Sequence, residues 1–423
     1  MSDLIGMHAT RWDNSSKQGD FMLVANADTL PQIPESGVLA QTIASLAEQM
    51  MVSMDTSRKD RLWPADAMVF QTNALNLAYG ACGTALFLHD ALGELPAVPR
   101  DWLMAQPIDN VTYPPGLYSG IAGIAWCFAE MGMLDRAVNL FELIPQSPLA
   151  FKTAEIFSGV AGWGLAALAL HLKTGDEQFR SLACQAGDHL LKTAKHTDLG
   201  ASWPDENGDV PLGFALGGSG IAVFLLYLWY STKEDRYLQV AREALEFDLA
   251  YAKNVGDTLL WGASVESRGH RPYWLRGGAG VASALIRFAQ MLNDDRYRDL
   301  ACRAVRPCAS FFSAAPHLFE GLASMGESLL DVYQVTGDEF YLEKARQKAT
   351  QTLLYSIERP QGIAFPGRYL FKISHDYGVG GAGIGLFLHR LIGLRPRRLH
   401  DIFPGQATGK GGDEKDGSNR CAA

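Results

Sequence analysis

Two kinds of apolar pattern alternate along the chain. In the first, stretches such as GIAGIAWCFAEMG at 120–132 and GVAGWGLAALALHLKTG at 159–175 are apolar on nearly every helical face. A helix of that kind is buried on all sides. In the second, apolar positions fall on one face behind a polar start. TGDEQFRSLA at 174–183 is matched by TGDEFYLEKA at 336–345, and more loosely by KEDRYLQVA at 233–241 and NDDRYRDLA at 293–301. Their Asp and Glu residues suit a first helical turn, where they cap free N–H groups and complement the dipole. Strand-like alternation is sparse. The pattern predicts an all-α chain in which outer amphipathic helices alternate with inner apolar ones.

Each inner stretch opens on Gly-x-x-Gly. The pairs are Gly80/Gly83, Gly120/Gly123, Gly159/Gly162, Gly217/Gly220, Gly277/Gly280 and Gly380/Gly383, and a seventh, degenerate copy has Gly321 with Ser324. They recur at intervals of roughly 40 to 60 residues, the range of helix-pair repeats. The glycines permit close helix approach. Inner helices that are apolar all round leave no polar concave stripe, so the seven pairs are expected to close into an α/α toroid rather than an open solenoid. The reading divides the chain into an irregular N-terminal segment at 1–37, the toroid at 38–404 and a disordered tail at 405–423, whose composition cannot build a core.

Composition narrows the class. A chain of 423 residues would ordinarily suggest two or three domains, but a repeat-built domain also reaches this size. The net charge of −9, with no concentrated Lys/Arg stripe, argues against nucleic acid as partner. No apolar run is long enough to cross a bilayer, and the N-terminus lacks a signal-peptide layout. The six cysteines form no disulfide-like framework, and Cys421 reads as a free thiol in the tail. A cytoplasmic protein is expected.

In a closed ring the turns leading into the inner helices gather at one end of the axis. The residues just before each Gly-x-x-Gly would then face a central funnel: Tyr79, Tyr118 with Ser119, Glu155 with Ser158, Leu216, Leu275 with Arg276, Phe319 with Glu320, and His375, Asp376 and Tyr377. Seven helix N-termini there would favour an anion such as a thiolate or enolate. Each residue also has a structural reading. Tyr79 and Tyr118 can be packing residues, Glu155 a cap, Arg276 and Glu320 partners of each other, and His375 and Asp376 turn residues. His270, in RGHRPYW, lies in a loop within reach of the mouth, and Trp274 lies beside Arg276. GVGGAG at 378–383 fits a dinucleotide pattern, but its surroundings are helical where that motif needs a strand.

LYSGIAGIAW at 117–126, IFSGVAGWGLAAL at 156–168, WLRGGAGVASAL at 274–285 and GVGGAGIGLFLHRL at 378–391 resemble the lanthionine synthetase C-like family. The likeness runs from about Asp60 to Leu394 and is greater to the cyclase domain of class III (kinase–lyase–cyclase) lanthipeptide synthetases. It implies an α/α toroid that adds a Cys thiol of a dehydrated precursor peptide to a dehydroamino acid. The family's zinc-dependent members use a Cys before the fifth repeat and a Cys-His pair before the sixth. Here these positions are Leu275, Phe319 and Glu320, a family His before the fourth repeat is Leu216, and a family Asp is matched by Glu155. No metal or other cofactor is therefore expected. The candidate catalytic set is Arg276, Glu155, Glu320, His375 and Asp376. The candidate peptide-binding set is Tyr79, Tyr118, Ser158, His270, Trp274 and Tyr377. Separate kinase, lyase or decarboxylase proteins are the expected partners. A scaffold that holds the peptide or docks those partners is the alternative, and a carbohydrate-active α/α barrel with paired Glu155 and Glu320 is a third reading.

Overall fold

The computed structural model describes residues 35–403 apart from 311–312. The predicted tail at 405–423, with Cys421, and all but the end of the predicted N-terminal segment lie outside the described residues. The first helix begins at Ser36, slightly before the expected start of the toroid.

Seven inner helices follow the seven glycine motifs: α2 (Ala81–Leu92), α4 (Ile121–Glu130), α6 (Val160–Thr174), α8 (Gly218–Thr232), α10 (Gly278–Leu292), α12 (Leu322–Thr336) and α14 (Gly381–Gly393). Six outer helices alternate with them: α3 (Ala97–Ala105), α5 (Leu134–Phe141), α7 (Glu177–Thr193), α9 (Asp235–Ala250), α11 (Asp295–Ser310) and α13 (Glu339–Leu353). The seventh outer helix is α1 (Ser36–Val52), which packs on α14 and α2. Each inner helix touches the next, and α14 touches α2, so the ring is closed. The chain is an all-α toroid, and its first helix completes its last pair.

The TGD motif has a local cause. Gly175 and Gly337 end α6 and α12 in the left-handed conformation, at φ 71° and 66°. Asp176 and Asp338 then cap α7 and α13 by accepting from the amides of Gln178 (2.8 Å) and Phe340 (3.0 Å). One short motif thus stops an inner helix and starts an outer one. In the looser copies Lys233 and Asn293 take the left-handed position.

Three small hairpins are inserted that the helical pattern does not announce: β1–β2 (Lys195–Thr197, Gly200–Ser202), β3–β4 (Lys253–Val255, Thr258–Leu260) and β5–β6 (Ile357–Arg359, Gly362–Ala364). They occupy the three long intervals between glycine motifs, those starting at Gly159, Gly217 and Gly321. A tryptophan ties the two regions after α7 and α9 back to the outer helix. The Trp203 indole donates to the Leu190 carbonyl at 3.1 Å and that of Trp261 to the Asp248 carbonyl at 2.7 Å. Trp63 does the same for Met50 of α1, at 2.9 Å. Each adds a second hydrogen bond to a carbonyl in the last turn of the helix.

The turns before the inner helices are sewn together. The residue two before each motif donates its backbone N–H to the carbonyl of its counterpart in a neighbouring repeat. Ala78 donates to Tyr118 (2.8 Å), Tyr118 to Phe157 (2.8 Å), Phe157 to Ala215 (3.2 Å), Leu275 to Phe319 (3.1 Å), Phe319 to Gly378 (3.0 Å) and Gly378 to Ala78 (2.8 Å). Six joins of a seven-membered belt are closed. Among the described residues no such bond joins Ala215 to Leu275. The second glycine of each motif is what lets the belt form. A Cβ at Gly123 would lie 1.6 Å from the Leu117 carbonyl oxygen, and one at Gly220 2.0 Å from that of Phe214. In the degenerate copy Ser324 instead uses its hydroxyl, which accepts from the Trp274 amide at 2.7 Å.

Further along the axis the interior is charged. Arg287 of α10 reaches Asp331 of α12 at 2.6 Å, and Arg390 of α14 reaches the same carboxylate at 2.7 Å. The segment after α14 enters this space: Arg397 also meets Asp331 (3.1 Å), and Asp401 meets Arg287 (2.7 Å). Burial alone would raise Asp331, but the three guanidinium groups outweigh it and hold the carboxyl well below its usual range.

Gly123→Ala is expected to lower the unfolding free energy by about 2–3 kcal/mol, because its methyl has no room beside the Leu117 carbonyl. Gly37→Ala, in α1 with open space around it, should be neutral or stabilising by up to about 1 kcal/mol. Denaturant unfolding of both variants measures the contrast, and equal effects would mean that the close approach does not matter.

Candidate active site at the open join of the ring

The expected central funnel is not an opening. Aromatic side chains from several turns meet at one level and close the axis. Tyr118 stacks on Phe157 (5.4 Å between ring centroids), Trp274 stacks on Phe319 (5.4 Å), Tyr118 meets Trp274 at 5.1 Å, and Tyr377 meets Phe319 edge-on at 5.9 Å. Tyr118 and Trp274 are buried, as is Tyr377. The Trp274 indole donates to His400 at 3.1 Å. The geometry follows from the belt: turns held at one height bring their large apolar side chains into contact, which removes them from water.

One accessible space, of about 510 Å³, lies among the charged residues Glu327, Arg390 and Arg397, and another lies to one side of the layer. A cavity of about 670 Å³ opens where the third, fourth and fifth turns meet, at the one belt join that carries no bond. Glu155, Leu216, Gly217, Gly218, Asp248 and Arg276 are among its lining residues, and Phe151, Trp203 and Phe247 add apolar wall. Glu155 is half-buried. One carboxylate oxygen accepts from the Ser158 amide at 2.8 Å and the other from the Thr153 hydroxyl at 3.2 Å. Burial still pushes the carboxyl up to about 7. Arg276 presents a buried Nε without a hydrogen-bond partner. The N-terminus of α8, whose Ser219 amide donates to Asp248, adds positive potential at the same wall. A general base poised near neutrality, a fixed cation and a helix N-terminus can together form and hold a small anion.

The other candidates are placed elsewhere. Glu320 does not pair with Arg276. It pairs with Arg271 at 3.2 Å and is not among the cavity's lining residues, so the two carboxylates do not face each other across it. His375 is fully buried with both ring nitrogens unpartnered, and burial pushes it down to about 4. Asp376 is a framework residue that accepts from the amides of Val379 (2.8 Å) and Asp66 (3.0 Å). Tyr79 is buried beneath Arg368 on the side of the first and seventh turns. Ser158 is held through its hydroxyl, which accepts from Ser119 at 2.9 Å. His270 is exposed on its loop, outside the cavity lining. Of the candidate catalytic set, only Glu155 and Arg276 are brought together. The sequence reading did not single out Asp248, whose carboxylate closes the floor of the cavity beneath α8. Its only signal was a lone acid on the buried face of an outer helix.

A family model described as lanthionine synthetase C-like protein matches residues 131–403. The chain belongs to the lanthionine synthetase C-like family. Along 373 residues it is 29% identical to a probable SapB synthase of Streptomyces coelicolor. That match covers 86% of this chain and 39% of the relative, so the chain spans about two fifths of that protein's length. Among solved structures, nisin cyclase aligns with a TM-score of 0.58 at 15% identity, over 78% of this chain and 94% of its own. A sugar epimerase from a ruminal bacterium aligns with a TM-score of 0.50 at 10% identity, over 85% and 98%. Both likenesses are of fold. At the family's zinc positions this lanthionine synthetase C-like chain carries Leu275, Phe319 in the aromatic layer, and Glu320 in its pair with Arg271. Leu and Phe offer no donor atom, so the residues present do not fit a zinc ion.

The raised Glu155 carboxyl has a stability consequence. The stability it contributes is full below its usual range and is lost as pH rises through about 7. Glu155→Gln should therefore gain stability relative to wild type between about pH 5 and about pH 8. Thermal melts of both proteins across that range test this, and a constant difference in Tm would show that Glu155 ionises normally.

Proposed function

We propose that this ring is a cyclase of ribosomal peptide natural-product biosynthesis. It takes a dehydrated, cysteine-containing precursor peptide and closes thioether rings by Michael addition without zinc. The observation that carries this reading is the shared cavity of Glu155 and Arg276 at the open join, in a chain of the lanthionine synthetase C-like family.

In this reading the peptide cysteine enters the cavity and Glu155 takes its proton. Arg276 and the N-terminus of α8 stabilise the thiolate. As the S–Cβ bond forms, the Cα=Cβ electron pair moves onto the adjacent carbonyl oxygen, and the resulting enolate stays within reach of the same cation. Delivery of a proton to Cα completes the addition. Separate kinase and lyase, or decarboxylase, proteins act with the ring, so the ring type is lanthionine, labionin or aminovinyl-cysteine according to what they supply. The five cysteines among the described residues are free, in keeping with a reducing, cytoplasmic setting. No helix among the described residues is long and apolar enough to cross a membrane.

A second reading, a non-catalytic ring that holds the peptide for partner enzymes, is favoured by one observation: the aromatic layer fills the axis where the family's zinc-dependent members place a metal.

Mass spectrometry with thiol trapping separates the two. The protein, with chelator present, is given a dehydrated cysteine-containing peptide. Free thiols are expected to disappear faster than in a protein-free control, with no change in peptide mass, and Glu155→Gln should slow this about 100-fold. Peptide binding without any acceleration would overturn the cyclase reading in favour of the scaffold.

A further inference from the structure

The fourth repeat departs from the others at two positions that touch each other. Three tryptophans donate to a carbonyl of an outer helix, and the residue bearing that carbonyl is Met50, Leu190 or Asp248. Two are apolar, and only the fourth-repeat residue is charged. The position two after the first glycine of each motif is Cys82, Ala122, Ala161, Ala279, Ala323 and Ala382 in six repeats, but Ser219 in the fourth. Ser219 answers Asp248: its amide donates to Asp248 Oδ2 at 3.0 Å and its hydroxyl bonds the same oxygen, and the Gly213 amide adds a third contact at 3.2 Å. All the hydrogen bonds fall on one oxygen. Asp248 is fully buried, and its Oδ1 has no hydrogen-bond partner. Gly218, a glycine shared in register with Gly278 and Gly381, lines the cavity together with Asp248. A Cβ there would lie 3.2 Å from Oδ1, so glycine sets no side chain against that oxygen.

A carboxylate serving only as a cap for α8 needs no bare second oxygen, and leaving one buried is costly. We propose that Asp248 delivers the proton to Cα that ends the ring-closing addition. This rests on the cyclase reading above. Glu155 accepts the thiol proton, the S–Cβ bond forms as the Cα=Cβ bond becomes an enolate, and Oδ1–H of Asp248 protonates Cα. Asp248 is left as carboxylate and Glu155 as acid, and transfer of that proton across the cavity restores both. No oxidant or other co-reactant is needed. Burial pushes Asp248 up to about 7, so the protonated form is available near neutrality. A fixed donor under one face of the enolate also sets the configuration at Cα.

The test uses the full chain and a synthetic peptide with one dehydroalanine and one cysteine. Wild type should give one lanthionine diastereomer on chiral chromatography. Asp248→Asn should close rings about 100-fold more slowly and yield both diastereomers. Gly218→Ala keeps the acid but sets a methyl against Oδ1, and should also yield both, which guards against a misfolded Asn variant. One diastereomer from both variants at near wild-type rate would overturn the assignment of Asp248 alone. Absence of ring closure by wild type would instead overturn the cyclase reading, and the Asp248 role with it.

Discussion

The structure depends on a close backbone approach. In six of the seven motifs the turn before the inner helix puts a carbonyl oxygen where the second glycine would otherwise carry a side chain, and this brings neighbouring turns close enough to share hydrogen bonds. The bonds from Ala78 round to Gly378 and back fix seven turns at one height. The aromatic layer follows, since Tyr118, Phe157, Trp274, Phe319 and Tyr377 are then forced together. That layer closes the axis at the level of the turns.

A belt bonded at six joins lacks the bond at one, and the cavity adjoins that join. The candidate site thus lies at the wall, between the third, fourth and fifth repeats, and not on the axis. That wall combines features that are costly elsewhere: a carboxyl pushed up by burial, a guanidinium nitrogen without a partner, and a helix N-terminus. Such groups are tolerated where a ligand completes them. Leu275 and Phe319, at the positions where the resemblance implies zinc donors, extend the apolar interior.

Much of the ring was legible in the sequence because one constraint acts seven times. The glycine motifs and the TGD junctions depend on local backbone geometry, and local geometry leaves a periodic trace. The hairpins left almost none: strands of three residues are too short to show alternation, and only the longer intervals between motifs betray them. Closure by α1 depends on contacts between the two ends of the chain, which no local pattern encodes. The site was half legible. Glu155 and Arg276 stand at the right register, but that register does not say which way a turn faces, so Tyr118, Trp274, His375 and Asp376 read alike with them although they pack inward. Asp248 was invisible because its meaning comes from Ser219 and Gly218, which lie on another helix.

The central claim is that the wall between the third and fifth repeats forms and holds a thiolate. The most direct measurement is the pH dependence of iodoacetamide alkylation of a cysteine peptide, free and saturated with protein. The free thiol titrates near about 8.5. The account predicts a midpoint at least about one unit lower for the bound peptide, returning toward the free value in Arg276→Met. A bound midpoint equal to or above that of the free peptide would contradict it.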